Sequence, residues 1–136
     1  MSQLSYTQDY VVAQVGQIAD TSSRTIDSFA AEGEIGFGIA VARGTNKQKQ
    51  VIPFLGTGFV GISVFEHNEN GLYKDEESVS VMTSGRIYVT TAATVVAGTI
   101  AYAVNATGLF TNVSTSATAV GKFLTSGTGI VVLELN

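Results

Sequence analysis

Cysteine is absent from the 136-residue chain, which excludes disulfides, thiolate metal sites and a cysteine nucleophile. Histidine is nearly absent: His67 stands alone in the acidic stretch EHNENG, so a His–His metal site cannot be built within one chain. No G-x-S-x-G elbow offers that histidine a serine to activate. Charge is sparse and of the wrong sign for phosphate backbones or anionic lipid, with seven Lys and Arg against eleven Asp and Glu, net −4. Neither a nucleic acid nor a membrane is expected as partner. No run approaches the roughly 20 consecutive apolar residues of a spanning helix. The opening MSQLSYTQDY lacks a basic region followed by an apolar one, so no secretory signal is expected and synthesis in the cytoplasm is.

What remains is strand-forming material. Seventeen Val, 16 Thr and 12 aromatic residues suit a pleated sheet, and 15 Gly supply turns. A mass of 14.2 kDa fits one domain and leaves no room for a second. The clearest alternation runs from Ile35 to Val41, large side chains against Gly36, Gly38 and Ala40, and predicts a strand with the large face in the core. Further strands are expected at Phe59–Phe65, Ser78–Thr83, Arg86–Thr90, Thr99–Val104, Lys122–Thr125 and Ile130–Leu135, with Ser84-Gly85 as the turn between the second and the third of these. Residues 28–33, SFAAEG, read as a helical turn stopped by Gly33. Many short strands at this spacing predict an all-β sandwich or barrel over residues 25–136. Residues 1–24 read as an extended arm or a first strand, with Tyr6, Tyr10, Val11 and Val12 as its adhesive side chains.

Three motifs carry possible chemistry. Gly56-Thr57-Gly58-Phe59-Val60-Gly61 matches G-x-G-x-x-G, but a strand follows where a phosphate cradle needs a helix N-terminus, so the glycines read as a turn. Glu66, Asn68, Asn70, Gly71 and Glu77 have the spacing of a calcium loop without its flanking helices; a polar connection facing water is the competing reading. Asp75, Glu76 and Glu77 adjoin in sequence, as solvated turns do, rather than converging on a substrate. No catalytic residue and no cofactor is expected.

One compositional feature is more informative. From Ile87 to Gly121 there is no charged residue, although turns are expected at Ala97-Gly98 and Thr107-Gly108. Charge depletion with Tyr88, Tyr102 and Phe110 present is how the centre of a protein interface is composed. A surface kept soluble by Thr and Ser hydroxyls is the alternative.

Taken in order, GQIAD (Gly16 to Asp20), TIDSFAAEGEIGFGIAVARGT (Thr25 to Thr45), FVGISVFEHN (Phe59 to Asn68), VSVMTSGRIYV (Val79 to Val89), VVAGTIAYAV (Val95 to Val104), GLFTN (Gly108 to Asn112) and GKFLTSG (Gly121 to Gly127) resemble the structural cement, or capsid decoration, proteins of tailed bacteriophages. The resemblance implies a compact, jelly-roll-like β domain without enzymatic activity. It further implies a virion protein on the capsid exterior, often a homodimer, that bridges major capsid protein subunits. A calcium- or carbohydrate-binding β-sandwich of a tail spike or fibre is the alternative.

Overall fold

The computed structural model describes residues 16–19, 24–65 and 71–135, and all of its regular structure is β. Nine strands follow in order: β1 (Thr25–Ala31), β2 (Ala40–Arg43), β3 (Gln50–Pro53), β4 (Phe59–Ser63), β5 (Ser78–Val95), β6 (Ile100–Val104), β7 (Phe110–Thr111), β8 (Ala117–Phe123) and β9 (Gly127–Leu135). They form one sheet in the order β1-β3-β2-β4-β5-β7-β6-β8-β9, with extra pairings β1–β5 and β5–β9. Those two pairings close the sheet twice, so that two five-stranded rings share β5.

The shared strand explains the largest departure from the sequence expectation. Ser84-Gly85 is no turn; β5 runs through it unbroken. Its first half pairs with β1 up to Thr25↔Ser84, and its second half pairs with β9 from Gly85↔Leu135 onward. Gly85 therefore marks the point where one strand leaves the first ring and enters the second. A strand that changes sheets needs a local bend, and Gly85 supplies it at φ 127°, where an added Cβ would lie 2.7 Å from the Cβ of Arg24. The expected alternation holds on either side: Val79 and Val81 are buried in the first ring, and Ile87 and Val89 in the second.

Residues 35–39 also differ. Ile35 makes only an isolated bridge to Tyr73, and the chain turns at Phe37-Gly38 before β2 begins. The buried Ser63 holds that turn: its hydroxyl donates to the Gly36 carbonyl at 2.7 Å and accepts from the Ile39 N–H at 3.2 Å. Gly38 sits there at φ 70°, a conformation that breaks strand propagation and suits glycine. The large side chains nonetheless reach the core as expected, Ile35 and Val41 within the first ring's apolar cluster and Phe37 and Ile39 against it. Residues 28–31 are strand rather than helical turn, because β5 offers them a ladder that outweighs local helix preference. In β4 a register shift opposite Val41 and Ala42 sends Val60 to the first ring's cluster and Ile62 to the second's.

Among the described residues two apolar clusters form the core. The smaller, inside the first ring, joins Ala31, Ile35, Val41, Val51, Tyr73, Val79 and Val81, and the buried Tyr73 hydroxyl donates to the Val64 carbonyl at 2.6 Å. The larger fills the second ring with Ile87, Val89, Phe110, Phe123, Val131 and Leu133, and extends to Ala40 on β2, Ile62 on β4 and Phe54 just after β3. The rings are thus packed against each other as well as joined by β5. Backbone approach is close in both, since a Cβ on Gly61 would lie 2.1 Å from the Met82 carbonyl oxygen and one on Gly121 2.0 Å from that of Glu134.

Candidate interaction surface

The second ring turns its large side chains outward on one strand where they would ordinarily face inward. In β6 the inward positions are Ala101 and Ala103, both fully buried, whereas Ile100 is 53% exposed and Tyr102 and Val104 are half-buried on the outer face. The ring is too narrow at β6 for larger side chains, since Phe110 and Phe123 already occupy its interior. Elsewhere the outside of the ring carries Ile130 and Val132 on β9 and Tyr88 and Thr90 on β5, joined by the direct cross-strand pairs Tyr88↔Val132 and Thr90↔Ile130.

Loops at both ends of β6 add further exposed apolar groups and are held rigidly. Val96 lies in a turn closed by Thr99, whose hydroxyl donates to the Val96 carbonyl at 2.6 Å. That turn is tied to the β8–β9 hairpin by Gly98 N–H to the Phe123 carbonyl at 2.7 Å and Ala97 N–H to the Ser126 hydroxyl at 2.9 Å. Val113 follows Asn112, whose side-chain amide donates to the Thr94 carbonyl. At the opposite end Leu109 follows Gly108, which packs so closely on β2 that a Cβ would lie 2.9 Å from the Ala40 oxygen. Val96, Ile100, Leu109 and Val113, four of the seven large apolar side chains exposed among the described residues, fall within the uncharged stretch Ile87–Gly121. Exposure of apolar groups and absence of charge thus coincide on one half of the molecule.

Charges on that half are few and mutually paired. After Gly85 the sequence carries only Arg86, Lys122 and Glu134. They sit side by side on β5, β8 and β9, with Arg86 Nε 3.0 Å and Lys122 Nζ 3.8 Å from the Glu134 carboxylate. The first ring carries polar clusters instead. Glu32 accepts from the Thr45 hydroxyl at 2.6 Å and the Thr45 N–H at 2.9 Å, and these two bonds hold its carboxyl below the usual range. Asp75 accepts from the Gly33 N–H at 2.8 Å.

Of the side chains singled out in the sequence, Tyr88 and Tyr102 lie half-buried on the outer face of the second ring. Phe110 does not belong with them. It is 2% exposed and packed within the larger cluster, because β7 turns its ring inward at the closure Thr91↔Phe110, so it is a core residue and not a surface contact. Tyr6, Tyr10, Val11 and Val12 lie outside the described residues, as do Glu66, His67, Asn68 and Asn70. Glu77, the one carboxylate of the candidate calcium loop that is described, accepts from the Lys74 N–H and closes a turn. Among the described residues no group of three acidic or histidine side chains is placed to hold a metal. The glycines at 56 and 58 form a turn that leads into β4. Sequence reasoning passed over Val96, Leu109, Val113 and Ile130; the available signal was a large apolar residue flanking a glycine turn within an uncharged stretch, as at Val96 and Leu109.

The described residues thus form a doubly closed β sheet with exposed apolar side chains and few charges on one half. The model of a family described as structural cement protein (E217 gp24/Pam3 gp6) matches residues 2–136. The chain belongs to the structural cement protein family. As a member of that family it is a structural protein of the phage capsid, associated with capsid proteins in the virion. The fold agrees with a solved chain from the capsid of Myoviridae phage XM1, at TM-score 0.73 and 18% identity over 90% of this chain and 89% of that one. Comparison with curated proteins found no match.

Proposed function

We propose that this cement protein sits on the outside of the assembled phage head, on major capsid protein subunits, and bridges them through the outer face and loop ends of its second ring. The observation that carries this reading is the coincidence of the uncharged stretch Ile87–Gly121 with exposed Val96, Ile100, Leu109 and Val113 on a closed, hydrogen-bonded ring. Apolar groups held at fixed positions lose little entropy on docking. Neighbouring hydroxyls, such as the Thr94–Thr128 pair at 2.7 Å, keep the face soluble before it docks. No turnover of a substrate is involved, and the protein acts as a homodimer on the shell. Each copy need bury only a modest area, because a bridge makes separation of two capsid subunits cost both of its contacts at once.

Co-sedimentation with expanded capsids that lack the protein tests the reading. Stoichiometric binding is expected, and Ile100→Glu or Ile130→Glu should weaken it by about tenfold each, the equivalent of about 1.4 kcal/mol. Full binding by the double variant would overturn the assignment of this face.

A further inference from the structure

A bridge needs two points of contact, and the exposed apolar groups of the second ring fall at two ends. β6 runs from Ile100 to Val104, about 13 Å at the rise of a strand, and Val96 lies in the turn just ahead of it. β7 runs antiparallel through Tyr102↔Thr111 and Ala103↔Phe110, which places Leu109 at the Val104 end and carries the chain back toward Ile100 before Val113. There the Val104 N–H donates to the Leu109 carbonyl at 2.7 Å. A loop from the first ring joins this end. Ala40 on β2 donates its N–H to the Gly108 carbonyl at 2.9 Å and accepts from the Phe54 N–H at 3.0 Å, so Leu109 and Leu55 each follow a residue tied to the same alanine. A Cβ on Gly56 would lie 3.3 Å from the Asn105 side chain, which shows how closely the two loops approach. Leu55 is 66% exposed, more than any other large apolar side chain among the described residues, and Leu109 is 47% exposed. The loop that carries Leu55 belongs to a second uncharged stretch, Gln50 to Phe65. Arg43, whose N–H meets the Gly58 carbonyl, holds its guanidinium at the Lys47 carbonyl and 6.0 Å over the Phe29 ring.

We infer that Leu55 and Leu109 form a second capsid contact, separate from the one around Val96, Ile100 and Val113, and that the two ends hold different major capsid protein subunits. The inference rests on the capsid-facing reading above and deepens it by dividing the bridge between two ends of the ring. Loops at opposite ends of a strand leave the ring in opposite directions, which suits two subunits flanking the protein. Two uncharged stretches, far apart in sequence, meet only through the fold at Ala40, and each presents a leucine there. Leucines fixed by backbone hydrogen bonds, with no charge on either loop, fit an apolar and uncharged patch of the subunit, because docking buries hydrocarbon, strands no ion and orders little. Each end is weak alone; together they act through the effective concentration that the ring imposes.

Expanded capsids lacking the protein are mixed with the native chain, with the double variant Leu55→Glu and Leu109→Glu, and with the double variant Val96→Glu and Val113→Glu. Bound protein is read by co-sedimentation and the capsid melting temperature by calorimetry. Either double variant is expected to bind about tenfold more weakly and to reach the native stoichiometry at higher concentration. At that saturation it should leave the capsid melting temperature unraised, because one end still holds a subunit while the bridge is gone. Should the change at 109 disturb the packing of Gly108, Leu55→Glu alone carries the test. Native stabilisation of the capsid by the saturating leucine variant would overturn this inference and leave the outer-face reading standing on Ile100→Glu. Complete loss of binding by the leucine variant alone would also overturn it, since that end would then be the sole contact. So would loss of a dimer in sedimentation velocity of the free leucine variant, which would give the pair to a second copy. Failure of the native chain to bind would overturn both readings at once.

Discussion

The two rings share a strand and a packing interface, yet they treat charge in opposite ways. Of the eighteen charged residues in the sequence, fifteen precede Arg86, and the three from Arg86 onward meet across β5, β9 and β8, two cations on one carboxylate. The first ring is covered in the ordinary manner of a solvated surface, with its carboxylates engaged in turns, as Glu32 is with Thr45 and Asp75 with Gly33. The second displays isoleucine, valine and leucine among hydroxyls. Closure permits this: every strand of the second ring is paired on both sides, so its apolar outer face can be shown to a partner without inviting strand-to-strand aggregation. The difference teaches that one small domain can divide solubility and adhesion between two closed units rather than mixing them over one surface.

The largest effects should come from breaking either closure. Gly61→Val and Gly121→Val each force a side chain onto a backbone carbonyl, and each should destabilise by about 3 kcal/mol or more in chemical denaturation. Equal losses would show that both rings bear the fold, whereas a loss confined to one would make the other an appendage. Next come the cores. Leu133→Ala should cost about 2–5 kcal/mol as a cavity in the larger cluster. Tyr73→Phe should cost about 1 kcal/mol, because it removes the buried donor to the Val64 carbonyl without emptying space.

Core positions on either side of Gly85 were the most legible part of the sequence. Period-two alternation marked Val79, Val81, Ile87 and Val89 correctly, and the family resemblance rested on the order of such blocks. Ser84-Gly85 misled because a serine–glycine pair is locally a turn, and only the partners waiting on both rings make it a crossing point. Ile35–Val41 misled because its alternation is satisfied by a turn held on Ser63, a contact 24–27 residues distant. Phe110 looked like a surface aromatic because it lies in an uncharged stretch; its burial follows from the parallel bridge to Thr91, which no local pattern encodes. The outward face of β6 was visible as Ile100, Tyr102 and Val104 on one side of a strand, but which side faced solvent depended on the narrowness of the closed ring.

Smaller effects sharpen the electrostatic side of the comparison. Glu134→Gln should cost no more than about 0.5 kcal/mol, a loss that shrinks with added salt, because the cluster is about one-third exposed or more. It should make the second ring more positive by one charge, leaving Arg86 and Lys122 uncompensated, detectable as altered retention on ion exchange. In the first ring Glu32 has a folded pKa below its unfolded value, so its stabilising contribution is present above the unfolded pKa and lost as pH falls through the folded one. Thr45→Val removes the hydroxyl that lowers it, so the variant should be slightly less stable than the native protein near neutrality and equal to it at pH below both pKa values, which makes the acid limb of a stability–pH curve slightly shallower.

The central claim concerns which half meets the shell, and a reconstruction of mature particles by electron cryomicroscopy tests it most directly. Density for this protein on the exterior, with β6, β9 and the Val96 and Val113 loops against capsid subunits and the acidic first ring toward solvent, is the predicted result. Density in the reverse orientation, or none on the outer surface, would contradict it.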